Sequence, residues 1–195
     1  IKEEKTTDDF GTKKVIAPVK GSVGNERFYV MALDDFNQGT KYYWYYGAYK
    51  NLDSEYNITT TTNDFAEAGL EPTGRKNTER MIESWNKNEY GPQNNNETYN
   101  DMWGAIQVKE EDGKSKIEKG WFLPSKSEWA AFGGEVLKKL NITSSNYENY
   151  GLSYHLYWSS TQCDIGQAYI TGIKLGYITN NSVRGYTPLR LATTF

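Results

Sequence analysis

Cys163 is the only cysteine and His155 the only histidine in a chain of 195 residues. Those two counts constrain the fold more than any other feature. No intrachain disulfide can staple the chain, no cysteine cluster can hold a structural zinc, and one imidazole cannot supply the paired ligands that most transition-metal sites use. The fold must therefore be held by its own packed core. At this length one domain buries roughly 70% of the surface that its unfolded chain exposes, so no second domain is required. We divide the chain into a charged lead-in over 1–26 and a single domain over 27–195.

Aromatic side chains are abundant enough to fill that core. Phe, Trp and Tyr make up 15% of the chain, with 16 Tyr and 6 Trp beside 18 Gly. Composition alone fits two readings equally. Tyr among Gly, Asn and Ser suits a recognition surface, and short strands of an α+β domain also favour Tyr and Thr. Charge is more decisive, because 22 Lys plus Arg against 25 Asp plus Glu, a net −3 with no basic block, speaks against nucleic-acid binding through phosphates. No apolar run approaches the roughly 18 to 20 residues of a membrane span. The chain opens on Ile1 rather than Met, consistent with a leader or upstream domain having been removed.

The pattern along the chain predicts an α+β domain with two helices against a small, mainly antiparallel sheet. Strands are expected at Val15 to Val19, Arg27 to Asp34, Trp103 to Val108, Gly120 to Leu123, Leu156 to Ser160, Ala168 to Leu175, Tyr177 to Thr179 and Leu189 to Phe195. In the last of these, Leu189, Leu191, Thr193 and Phe195 should face inward and Arg190, Ala192 and Thr194 outward. The run Lys41 to Tyr49 carries aromatics on both strand faces, and residues 51–76 read as a loop. One helix is expected to start at an N-cap on Thr78 and to bury Met81, Ile82 and Trp85. A second starts at Ser125, with Glu128 three residues on completing a capping box, and should weaken at Gly133 and Gly134.

Motifs for chemistry are sparse. Phe132-Gly133-Gly134 lies inside a helix pattern and is no phosphate loop. His155 and Cys163 form no triad pattern, because no third, orienting group is marked. Glu110 to Lys119 reads as a solvated hairpin with Asp112-Gly113-Lys114 at its tip. Asn94 to Asn96, Asn100 and Asp101 cluster oxygens that calcium could use, without a twelve-residue calcium loop around them. Sequons at Asn57, Asn96, Asn141 and Asn180 are expected by chance in this composition. No cofactor and no metal follow from these residues.

Three runs together carry a resemblance: Gly120-Trp121-Phe122-Leu123-Pro124-Ser125-Lys126-Ser127-Glu128-Trp129, then Tyr157-Trp158-Ser159-Ser160-Thr161-Gln162, closing on Arg190-Leu191-Ala192-Thr193-Thr194-Phe195. With Asn77 to Trp85, Trp103-Gly104 and the strand around Met31, they resemble C-type-lectin-fold domains of bacterial, gut-associated surface and phage proteins, among them the variable proteins of diversity-generating retroelements. The resemblance implies a C-type lectin fold and a location on a cell surface, outside the cell or on a virion. It also implies a C-terminal face that binds a protein or glycan partner without catalysis. In the retroelement-linked members, adenine-directed mutagenesis, commonly at AAC codons, reaches Tyr, Asp, Ser, Gly, Ile, Thr, Cys and Arg but not Lys, Glu, Gln, Met or Trp. Over a variable region at 160–190, this implies ligand contacts from Cys163, Asp164, Ile165, Gly166, Tyr169, Thr171, Tyr177, Arg184, Gly185, Tyr186 and Thr187. Gln167 and Lys174 would belong to the scaffold, with Trp121, Trp129, Trp158 and Phe195 beneath. Two alternatives share the fold. One is a fixed adhesin or pilus-tip module, and the other an enzyme similar to the formylglycine-generating enzymes, which depend on paired cysteines where this chain has only Cys163.

Overall fold

The computed structural model describes residues 14–18, 28–32, 34–46, 73–86, 101–133, 137–143, 145–150, 156–164, 166–172 and 178–194. The expectations for Ile165, Tyr177, His155, Phe195, Asn94 to Asn96 and Asn100 fall outside them. The described chain is mixed α and β, with three small antiparallel sheets. In the first, β2 (Phe28–Ala32) lies between β1 (Lys14–Pro18) and β8 (Ala192–Thr194), with Ile16 opposite Val30 and Thr193 opposite Val30 from the other side. A piece of the charged lead-in is thus built into the same sheet as the last strand. The second pairs β3 (Lys41–Tyr42) with β7 (Thr187–Pro188). The third runs β4 (Leu156–Asp164), β5 (Gln167–Gly172), β6 (Ile178–Ser182) in that order.

Helices α1 (Thr73–Asn86), α2 (Met102–Ala105), α3 (Lys126–Ala131) and α4 (Leu137–Lys139) pack around these sheets. The start of α3 is as the sequence predicts. Ser125 Oγ accepts from the Glu128 amide at 3.2 Å and Glu128 Oε2 accepts from the Ser125 amide at 2.8 Å. The helix stops at Ala131, just before the two glycines. Ser125→Ala should lower stability by about 1 kcal/mol in urea unfolding, and a change below ~0.3 kcal/mol would show that the cap is not needed.

Helix α1 begins five residues before the expected cap, because its first turn is capped from outside: the Gly74 amide donates to Glu128 Oε1 at 2.9 Å. Thr78 lies mid-helix, and its hydroxyl takes the Leu123 amide at 3.0 Å and donates back to the Leu123 carbonyl at 3.3 Å. A side chain that looks like a cap instead pairs with the neighbouring segment.

Three expected strands are shorter or different. Trp103 to Val108 is helix and turn; Met102, Trp103 and Ile106 are all buried on one face, a spacing that a short apolar run leaves open between helix and strand. Gly120 to Leu123 contributes one bridge, Phe122 to Ala192. Among the described residues of the last strand only Ala192–Thr194 form a strand, and Leu189, Arg190, Leu191 and Ala192 are all buried, so the expected alternation fails. Elements cover both sides of this segment, and Arg190 is held inside by Asp35. The 109–115 hairpin is present, with Lys109 bridged to Ser115 and Gly113 at φ +77° in its turn. Its flank is less solvated than expected, since Lys116 is buried and pairs with Glu110 at 2.7 Å.

Two hydrophobic clusters form the core. One joins Trp44, Trp103, Trp121 and Trp158 with Leu189 and Leu191; the other gathers Tyr29, Phe122, Trp129 and Tyr157. Trp121, Trp129 and Trp158 are buried, as scaffold residues should be.

Candidate functional site

In the third sheet β5 and β6 leave part of one face open, whereas β4 is buried from Tyr157 to Gln162, with Trp158 in one core cluster and Tyr157 in the other. Along β5, Ala168 and Ile170 point inward and are buried, so Gln167 and Tyr169 lie on the opposite face, half-buried. The register puts Tyr169 opposite Asn180 and Gln167 opposite Ser182. Asn180 Nδ2 reaches Cys163 Sγ at 3.7 Å, placing the lone thiol on the Tyr169 side. Lys126, the first residue of α3, sets its ammonium 4.3 Å from the Tyr169 ring centroid, a cation–π contact at the sheet surface. Pairing shifts between Trp158 and Gln162 and again before Asp164 bend β4, as bulges do at sheet margins.

Beyond β6 the chain turns through Val183, which is buried, and then exposes Arg184 and Tyr186. Tyr186 is 49% exposed. Its ring stands edge-to-face on Tyr43, with centroids 4.2 Å apart; Tyr43 in turn lies 4.8 Å from Tyr46, and the Arg184 guanidinium sits 4.9 Å over the Tyr46 ring. Three phenols and one guanidinium therefore form a continuous cluster. The Tyr45 amide donates to the Val183 carbonyl at 3.0 Å, which joins the 43–46 segment to the end of β6. Beneath it, Trp44 and Tyr45 are buried, and Trp44 Nε1 donates to the Ser159 carbonyl at 3.0 Å. The support is rigid core, and the rings above it are half-exposed or exposed.

The expected contact residues that are described fall in four places. Cys163, Gly166 and Tyr169 lie at the outer face or the β4–β5 turn, and Arg184, Gly185 and Tyr186 lie in the segment after β6. Asp164 ends β4 opposite Gln167. Thr171 and Thr187 are buried and do not reach the outer surface: Thr171 sits mid-sheet between Tyr157 and Ile178, and Thr187 pairs with Tyr42 in the β3–β7 ladder. Tyr43, Tyr46 and Lys126 join the surface without having been singled out. Tyr43 and Tyr46 were hidden in an aromatic run with no positional contrast, and Lys126 directly follows the Ser125 cap, a placement that carries no binding signal.

Asp101, a candidate calcium ligand by sequence, is 3% exposed and already occupied: Oδ1 accepts from the Tyr46 amide at 2.8 Å and Oδ2 from Trp85 Nε1 at 3.1 Å. Among the described residues no group of three or more His, Cys, Asp or Glu is gathered as a metal site, and no helix is long and apolar enough to cross a membrane. What the surface offers chemically is contact. Ring faces can stack, phenol hydroxyls can donate or accept, and a guanidinium edge can meet an acceptor. No protein-family model matches the chain, and no curated protein matches it in sequence.

Proposed function

We propose that this chain is a non-enzymatic binding domain of C-type lectin fold whose C-terminal face recognises a protein or glycan partner, in the manner of retroelement-diversified variable proteins. The observation that carries the reading is the Tyr43–Tyr46–Tyr186–Arg184 cluster, large rigid rings and one cation exposed on a buried tryptophan base. Such residues dominate binding energy at interfaces because they bury much area while losing few rotamers. The pairing of β8 with β2, which returns the C-terminus beside an early strand, supports the fold assignment. Cys163, Tyr169, Arg184 and Tyr186 are residue types that adenine-directed mutagenesis reaches, as the diversified reading permits.

The test is binding to a partner selected by screening the wild-type domain. Arg184→Ala and Tyr186→Ala should each weaken affinity about 30-fold or more, roughly 2 kcal/mol, while leaving the unfolding midpoint within a few degrees. Folded variants that bind within about twofold of wild type would rule this face out. Diversification has its own test. A reverse transcriptase gene nearby and a template repeat matching codons 160 to 195 except at adenines are expected, and their absence would leave a fixed binding module.

A further inference from the structure

The aromatic cluster exists only because the 43–46 segment abandons strand geometry. In an extended strand alternate side chains share a face, so Tyr43 would go with Tyr45 and Trp44 with Tyr46. Instead Trp44 and Tyr45 are both buried, and Tyr43 and Tyr46 stand together with ring centroids 4.8 Å apart. Three hydrogen bonds from main-chain amides lie at this turn. The Met102 amide donates to the Tyr43 carbonyl at 2.9 Å, the Tyr45 amide to the Val183 carbonyl at 3.0 Å, and the Tyr46 amide to Asp101 Oδ1 at 2.8 Å. Only the last uses a side chain. Tyr46 lies beyond the two-residue β3 ladder, so its amide takes a side-chain acceptor where a strand would offer a carbonyl.

We infer that Asp101 is the positioning residue of this surface, turning Tyr46 up beside Tyr43 so that the Tyr46 ring can carry Arg184. Asp101 is itself aimed: Trp85 Nε1 holds its second oxygen at 3.1 Å, and Trp85 is pinned by Gly104, where a Cβ would lie 2.9 Å from the ring. A path of direct contacts therefore runs from the C-terminal half of α1 through Trp85 and Asp101 to the exposed cluster. Charge matters in this role, because an ionised acceptor binds an amide about twice as strongly as a neutral one. The importance of the surface rests on the binding reading above, but the positioning role does not.

The experiment needs no partner. The full chain is labelled with 3-fluorotyrosine for ¹⁹F NMR and with ¹⁵N for amide exchange, as wild type, D101N and D101A. In D101A the Tyr46 amide should exchange more than tenfold faster, with amides of β5 changing less, and the ring resonances of Tyr43, Tyr46 and Tyr186 should move. The indole N–H signals of Trp44 and Trp158, bonded to the Ser159 and Tyr42 carbonyls, should stay in place. D101N keeps a neutral acceptor and should give an intermediate, several-fold rise, which decides the matter if D101A does not fold. Unmoved tyrosine rings with unchanged Tyr46 exchange would overturn the inference, as would indole shifts as large as the ring shifts, since that pattern marks general loosening. If the role holds and no partner is bound, the binding reading fails alone.

Discussion

Arg190→Met should lower the unfolding free energy by about 3–5 kcal/mol, the range for breaking a buried ion pair by removing one member. Arg190 is 1% exposed, and its Nε donates to Asp35 Oδ1 at 3.1 Å, with Nη2 on the same oxygen. Tyr157 Oη donates to that oxygen at 2.7 Å, and the guanidinium lies 5.0 Å over the Tyr157 ring. Removing the guanidinium takes the cation away from Asp35, in a site only partly open to water. The same junction carries backbone bonds from the Ala32 and Phe36 amides to the Leu191 and Leu189 carbonyls, at 2.9 and 3.0 Å, so loosening it unseats the C-terminal segment from β2. Urea unfolding followed by tryptophan fluorescence measures the loss. The double variant D35L/R190M should recover most of it, because apolar replacement of both partners removes the unpaired charge. A single-variant loss below about 1 kcal/mol would mean the pair contributes no more than a surface salt bridge.

The second large effect is on pH dependence. Glu128 is 2% exposed at the junction of three elements, where it accepts from the Gly74 amide, the Ser125 amide and Tyr29 Oη at 2.9, 2.8 and 3.2 Å. Packing there is so close that a Cβ on Gly74 would lie 2.3 Å from Oε2. Burial pushes the carboxyl from 4.5 up to about 7, against the pull of those hydrogen bonds, and burial with the neighbouring carboxylate also raises Tyr29. An acid with a raised folded-state pKa keeps its proton longer in the folded than in the unfolded chain. Its contribution to stability is therefore complete below pH 4.5 and is lost as pH rises through about 7. The folded state should lose roughly 2–3 kcal/mol between pH 5 and pH 8. E128Q, which stays neutral, should flatten that slope, so the difference between wild type and E128Q isolates this one group. Equal slopes for the two proteins would show that Glu128 titrates normally.

Much of the scaffold was legible in local signals. The Ser125 capping box, the strands expected at 27–34 and 156–160 and the turn at Gly113 each depend on a few adjacent residues, and each is present, the strands as 28–32 and 156–164. The failures share a cause. Thr78 has the right chemistry for an N-cap, but Glu128, fifty residues away in sequence, caps α1 earlier. Arg190 was placed outward by alternation because nothing near it in sequence reveals Asp35. The proposed face was half legible: Arg184 and Tyr186 could be marked from the resemblance of their flanks, whereas Tyr43, Tyr46 and Asp101 could not.

By itself, the sequence determined that this chain closes without disulfide or cysteine–zinc staples, that aromatics fill its core, and that its class is α+β, because composition and short-range periodicity act before the chain folds. Only the tertiary structure decided which of sixteen tyrosines are exposed together and which carboxylates are buried. Those outcomes depend on partners brought from 99 and 155 residues away, as Tyr29 to Glu128 and Asp35 to Arg190, and on an aspartate that turns Tyr46 away from strand geometry. A side chain's chemistry is written locally, but its burial is a property of everything packed around it.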